Sequence, residues 1–274
     1  MRLSWTAAYC SGIRPAPAGR KAHHGQKRSG AVRVTAATWR LGTVAEIVPE
    51  TSRAVSVVLD LPGWPGHRAG QQVDVRLRAA DGRLVARSYS IASAPEDGYL
   101  MLTVERGPGG DVSGELRTGH QLELRGPIGD CGWDDSAREP ALLVAGGRGI
   151  VPLRSLLRHI RAAPDDVGVR LLYSARSLPD VIYREELMRF AAYDEVDIRF
   201  ALTREWPPTW RGHRGRIDGR LLSQVSWPAG DRPRIFICGP TAFAETLTSA
   251  LVAQGHHSDR IRQLSVHDRP KGDS

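Results

Sequence analysis

Three stretches of this sequence carry residue types suited to holding phosphate groups. In the first, Ala141-Leu142-Leu143-Val144-Ala145 runs directly into Gly146-Gly147-Arg148-Gly149-Ile150-Val151-Pro152. The apolar run suits a buried strand, and glycines placed after it let backbone N–H groups approach a diphosphate at the positive end of a following helix. Pro152 stands where the common dinucleotide fingerprint has Gly or Ala, so the same letters also describe a tight βα turn that binds nothing. The second stretch is Ser174-Ala175-Arg176, at the end of the next strand-like run. A fold that prefers NAD commonly places an acidic residue there for the ribose 2′-OH. A guanidinium instead pairs with a 2′-phosphate through charge-assisted bonds, which points to NADPH. A solvated loop arginine is the alternative. The third stretch, Arg87-Ser88-Tyr89-Ser90-Ile91-Ala92-Ser93, joins a phosphate-pairing guanidinium to a ring able to stack and to several hydroxyls. Strand periodicity puts Arg87 and Tyr89 on one face, with Ser88 and Ser90 on the other unless the strand bends. An ordinary barrel strand explains this run equally well.

Residues so far apart meet only if the intervening elements bring them together. From Trp39 the sequence breaks into short β-type runs at 40–47, 54–59, 72–77, 87–91, 99–105 and 121–125. Turn signals such as Leu61-Pro62-Gly63, Asp81-Gly82 and Gly107-Pro108-Gly109-Gly110 separate them. That spacing predicts an antiparallel barrel or sandwich. After Pro140 strands alternate with helices: strands at 141–145, 169–174, 196–202, 234–238 and 260–264, helices at 152–162, 184–192, 218–225 and 241–254. Alternation of this kind predicts a parallel sheet with helices on both faces. The polar stretch 133–140 marks the boundary.

Composition agrees with two domains, because 274 residues exceed what one core usually fills. Hydrophobic residues at 41% and charged residues at 25% exclude a fibrous or wholly disordered chain. The longest apolar runs fall far short of the ~20 residues that span a bilayer, so no membrane association is expected. The net charge of +8 sits at one end: residues 1–38 hold seven basic residues, and the first carboxylate is Glu46. The rest holds 31 basic and 30 acidic residues, which argues against a nucleic-acid-binding core. Residues 1–38 read as a disordered basic tail, though their acid-free composition also resembles an organellar transit peptide. Cys10, Cys131 and Cys238 are scattered, forming neither a disulfide framework nor a C-x-x-C site, so a reducing, cytoplasmic setting is expected. The histidines lack metal-binding spacing, and no metal is expected.

Taken together, Arg87-x-Tyr89-Ser90-x-x-Ser93, Gly110-x-x-Ser113, Gly146-Gly147-x-Gly149-Ile150-x-Pro152 and Cys238-Gly239-Pro240 resemble the ferredoxin–NADP reductase family in content, order and spacing. The resemblance covers about residues 39–264. It implies an FAD-binding antiparallel β-barrel at 39–134, an α/β parallel-sheet NAD(P)-binding domain at 138–264 and a C-terminal tail at 265–274. It also implies hydride transfer from NADPH, with NADH possible, to FAD, and delivery of single electrons to a ferredoxin-like or oxygenase acceptor by a monomeric enzyme. A non-catalytic flavin-binding bridging or regulatory subunit is the alternative.

By the same resemblance, Arg87 pairs with the flavin diphosphate, Tyr89 packs on the isoalloxazine and Ser90 lies near flavin N5, with Ser93 in the same motif. Gly110, Val112 and Ser113 match the turn offering N–H groups to the FAD diphosphate. Gly146, Gly147 and Gly149 match the nicotinamide-nucleotide diphosphate turn, and Cys238, with Gly239 and Pro240, lies near the nicotinamide. Ser174, Arg176 and Tyr183 fall at the adenosine end. Ser90 and Cys238 are thus the candidate catalytic residues. Two features depart from the family pattern. Arg148 replaces a residue usually small or hydroxylic and Val151 a threonine, and the last strand runs into Ser265-Val266-His267-Asp268 without an aromatic residue to cover the flavin.

Overall fold

Two six-stranded sheets, one antiparallel and one parallel, carry the residues singled out above. The computed structural model describes residues 38–78, 84–105, 116–164, 167–193 and 196–265. The first sheet comprises β1 (Arg40–Pro49), β2 (Ala54–Asp60), β3 (Gln72–Arg78), β4 (Leu84–Ser90), β5 (Leu100–Glu105) and β6 (Gln121–Ile128), in the order β4-β3-β6-β1-β2-β5. Its edges meet beyond β4, where Ile91 bridges Leu102 and the Ala92 N–H donates to the Met101 carbonyl at 2.7 Å. That contact curls the sheet into a barrel and leaves its edge strands partnered. Alternation along β5 shows both faces in use. Leu100, Leu102 and Val104 fill the barrel core, whereas Met101 packs into the core of the second sheet.

The second sheet begins with β7 (Ala141–Gly146) and continues through α1 (Ile150–Ala162), β8 (Val169–Ala175), α2 (Arg184–Tyr193) and β9 (Asp197–Leu202). A two-residue strand β10 (His213–Arg214), α3 (Gly219–Val225), β11 (Arg234–Cys238), α4 (Thr241–Ala253) and β12 (Ile261–Leu264) complete it. All strands run parallel in the order β10-β9-β8-β7-β11-β12. Covered on both sides, β7 is buried throughout: Leu143 faces one core and Leu142 and Val144 the other. This is why it reads as an unbroken apolar run. Strand β10 was not anticipated, because two residues show no periodicity. A hydrogen bond donated by the Gly215 N–H to the Leu202 carbonyl at 2.7 Å seats its end beside β9.

The polar face of α1 docks on the barrel segment that follows β4. Arg154 donates to the Ala92 carbonyl at 2.7 Å and to Glu186 of α2 at 2.6 Å, while the Ser155 hydroxyl donates to the Ser93 carbonyl at 2.7 Å. One turn on, Arg158 pairs with both Asp97 and Glu186. His159 lies between Glu96 at 2.7 Å and Asp135 at 2.8 Å. Arg154 and Ser155 are buried, so these bonds are shielded from water and fix how α1 sits on the barrel.

Candidate functional site

The order of the parallel sheet reverses between β7 and β11, the place where open α/β sheets bind ligands at the carboxyl ends of their strands. A cavity of about 850 Å³ opens there. Gly146, Gly147, Arg148 and Gly149 form one wall, Gly239 and Pro240 another, and Ser174, Arg176, Thr203, Arg204 and Arg216 the far end. Two glycines are required by geometry. A Cβ at Gly149 would stand 1.9 Å from the Cys238 carbonyl oxygen, so only glycine lets the two turns touch. Gly147 has φ +55° and nothing within 4 Å of its would-be Cβ, a left-handed residue with open space around it. Helices α1 and α4 both start at the cavity without a side-chain cap, and both direct the positive ends of their dipoles there. With Arg148, Arg176, Arg204 and Arg216 added, the site is built for an anion.

The sequence-predicted residues sort into several groups. Gly146, Gly147, Gly149, Ser174, Arg176, Gly239 and Pro240 share this cavity. Cys238 comes to the same place through its backbone, but its thiol is buried in the core beneath, and burial pushes its pKa up to about 12. It is therefore a neutral packing group. Tyr183 does not line the cavity. Its backbone is left-handed at φ 59°, and its side chain is buried between the sheets, where it hydrogen-bonds to Thr103 of β5 and lies under the Arg154 guanidinium at 4.7 Å. Thr103 in turn meets Ser56 at 2.9 Å, and Ser56 donates to Glu50 at 2.6 Å. Burial raises the pKa of Glu50. This chain of polar groups binds the barrel to the segment before α2, so the structure gives Tyr183 an interface position where the resemblance implied an adenosine contact.

On β4, Arg87 is half-buried and Tyr89 packs in the barrel core. Ser88 donates to the buried Asp74 at 2.5 Å, and Arg125 joins Asp74 at 2.7 Å. The Ser93 hydroxyl accepts the Met101 N–H at 3.0 Å, a bond that holds the barrel closed. Ser90 differs from both. Its Oγ is buried and has no hydrogen-bond partner among the described residues. An orphaned hydroxyl of this kind is costly unless something else bonds it, and a flavin ring edge fits that need. Gly110, Val112 and Ser113 lie outside the described residues. Sequence reasoning missed Arg204 and Arg216. A signal existed for Arg204, which stands two residues past the end of β9, while Arg176 directly follows β8. Among the described residues no cluster of His, Cys, Asp or Glu could hold a metal ion, and no helix is long and apolar enough to cross a membrane.

The barrel and the cavity match two family models: "Oxidoreductase FAD-binding domain" over residues 46–133 and "Oxidoreductase NAD-binding domain" over residues 143–249. A glycine betaine monooxygenase reductase subunit of Pseudomonas aeruginosa is 32% identical over 250 residues, which cover 86% of this chain and 68% of that protein. Ferredoxin–NADP reductase B of Sorangium cellulosum is 36% identical over 180 residues, covering 62% of this chain and 73% of that protein. The fold is also that of a cytochrome P450 reductase from Amycolatopsis, at a TM-score of 0.74 and 24% identity over 87% of this chain and 73% of that one. The chain belongs to the ferredoxin–NADP reductase superfamily and is an NAD(P)H-dependent, FAD-containing oxidoreductase.

Proposed function

We propose that the chain takes electrons from NADPH in preference to NADH and passes them to a one-electron acceptor protein, either ferredoxin-like or an oxygenase component. The observation that carries the coenzyme choice is the far end of the cavity. Arg176, Arg204 and Arg216 stand there beside Ser174, and none of the described residues lining that end is a carboxylate. A 2′-phosphate carries roughly the charge that such a cluster attracts, whereas NAD sites use an acidic residue to hold a ribose hydroxyl. The acceptor class is supported by the kind of protein to which the chain is similar, a monooxygenase reductase subunit and a ferredoxin reductase. Cys131 and Cys238, buried as free thiols, suit a reducing cytoplasm.

When bound, FAD accepts a hydride from the nicotinamide and releases the two electrons singly. The protein's residues place the reacting partners. Arg87 would hold the flavin diphosphate, the Ser90 hydroxyl would bond the ring edge, and the glycine turn after β7 would hold the nucleotide diphosphate over the β7–β11 switch point. Fixing two reactants in near-attack geometry supplies several kcal/mol of a barrier. The α1 contacts to Ala92 and Ser93 matter here, because they tie the nucleotide-binding helix to the chain immediately after Ser90.

Steady-state kinetics with both coenzymes test the proposal. Wild type should show a higher kcat/KM for NADPH, and Arg176→Ala should raise KM for NADPH by on the order of tenfold while barely changing that for NADH. Equal kcat/KM for the two coenzymes in wild type would refute the assignment.

A further inference from the structure

We propose that Arg148 binds the diphosphate of the nicotinamide nucleotide and that Glu105 is a resting counter-ion of this guanidinium, displaced from it when the nucleotide arrives. The inference rests on the cavity being the nucleotide site and adds a binding residue and an exchange step to it.

Arg148 occupies an unusual electrostatic position. It lies in the 3₁₀ turn Gly147–Gly149 that leads into the thirteen-residue helix α1. The positive end of a helix dipole disfavours a cation, and a second uncapped N-terminus, that of α4, adds potential of the same sign. A guanidinium held there needs an anion. Glu105, the last residue of β5, stands beside it, with its Oε1 3.6 Å from Arg148 Nε. At that distance the two attract as charges but fall outside the 2.7–2.9 Å range typical of a charge-assisted hydrogen bond. The pair is also only partly screened from solvent, with side chains 21% and 37% exposed.

Both residues line the cavity, and Glu105 is the only carboxylate among the described residues that do. Among the described residues, an anionic ligand therefore meets one repulsive group, and that group is paired to an arginine on the turn that receives the diphosphate. A diphosphate brings more negative charge than one carboxylate and can take the guanidinium in bidentate geometry. It outcompetes Glu105 for Arg148. The opposite reading, a purely structural ion pair between barrel and turn, predicts that losing either partner harms the site. Exchange predicts opposite signs for the two partners.

The test uses the full FAD-loaded chain, titrated calorimetrically with ADP-ribose, which has the diphosphate but no 2′-phosphate, and with 2′-AMP, which has the reverse. Arg148→Ser should weaken ADP-ribose binding on the order of tenfold and leave 2′-AMP binding unchanged, with Arg148→Lys in between. Glu105→Gln should tighten ADP-ribose roughly two- to fivefold, and this gain should vanish in the Arg148→Ser background. Weakened or unchanged ADP-ribose binding in Glu105→Gln overturns the proposal, as does an equal loss of both ligands, or no loss, in Arg148→Ser. Wild type binding 2′-AMP but not ADP-ribose overturns this inference alone. Wild type binding neither overturns the assignment of the cavity as well.

Discussion

Gly149 and Cys238 are in contact through backbone alone: a Cβ on Gly149 would meet the Cys238 carbonyl oxygen at 1.9 Å and the Gly239 nitrogen at 2.8 Å. The turns after β7 and β11 therefore pass each other with no room for a side chain. Phe243 of α4 closes the crossing from the other side, since its ring would lie 2.7 Å from a Cβ on Gly239 and 3.1 Å from one on Gly146. Gly146 and Gly149, read from the sequence as phosphate-approaching residues, and Gly239, read as lying near the nicotinamide, thus also serve packing between the two walls of the cavity.

Gly149→Ala must move backbone rather than a flexible side chain, so its cost belongs at the upper end of overpacking, about 3 kcal/mol, with nucleotide binding lost. Gly147→Ala meets no neighbouring atom and carries only the strain of a left-handed backbone, about 1–2 kcal/mol, with the walls left in place. Urea denaturation and ADP-ribose titration of both variants distinguish these effects. Equal behaviour of the two would show that the crossing is looser than the geometry states.

Ser90→Ala separates a cofactor role from a structural one. Because the buried hydroxyl has no partner among the described residues, removing it should leave the flavin-free chain as stable as before or more so by up to about 1 kcal/mol. In the FAD-loaded protein the same change should slow flavin reduction by NADPH roughly three- to tenfold, the worth of one neutral hydrogen bond. Thermal melts of the flavin-free chain and stopped-flow reduction of the loaded one are the measurements. A destabilised flavin-free chain that reduces at the wild-type rate once loaded would contradict the assignment.

The fold was legible because its strands are written in two clear styles: alternating or short runs in the barrel, and the continuous apolar β7 and β11 in the parallel sheet. The glycine turn and the Cys238-Gly239-Pro240 turn were legible as separate motifs, and only the strand order shows that they touch. What sequence alone leaves out is neighbourhood. Arg204 and Arg216 reach the cavity because β9 lies parallel beside β8 and β10 beside β9, a pairing no local pattern encodes. Arg154, Ser155 and Arg158 look like the solvent face of an amphipathic helix, and they are covered because a second domain sits on that face. Tyr183 follows Val181 and Ile182 in a run whose letters suit a buried interface as well as a ligand contact, and the structure buries all three.

The covered face of α1 carries its own prediction. Arg154 and Glu186 pair at 2.6 Å with side chains 7% and 13% exposed, so Arg154→Met leaves a buried carboxylate with one guanidinium instead of two and strips the Ala92 carbonyl of its donor. Removing one partner of a buried pair costs about 3–5 kcal/mol, and Arg158, which still pairs with Glu186, keeps the loss near the lower figure. Glu186→Gln in the same background should recover part of it, because the stranded charge is then gone. Denaturation midpoints of the single and double variants measure this. If Arg154→Met were within about 0.5 kcal/mol of wild type, the level of an ordinary surface change, the contact would not be holding the two sheets together.

His159 gives the same junction a pH dependence. Burial alone would lower its pKa, but the hydrogen bonds to Asp135 and Glu96 outweigh burial and hold the imidazole above its usual value of 6.5. With both ring nitrogens facing carboxylates, the cationic form is the one the site accommodates. A base whose pKa rises on folding contributes stability that is complete below the unfolded value and disappears as pH climbs through the folded one. The stabilisation should therefore be present at pH 6 and fade on the alkaline side of 6.5, by about 1 kcal/mol for an ion pair whose carboxylates are largely solvated. His67 acts in the opposite sense, since burial lowers its pKa, so the quantity to follow is the difference between wild type and His159→Gln. That difference, from urea titrations between pH 5.5 and about 8.5, should shrink as pH rises. A difference that is constant or grows toward alkaline pH would mean that His159 is held as the neutral imidazole and that one of the two carboxylate contacts is not made.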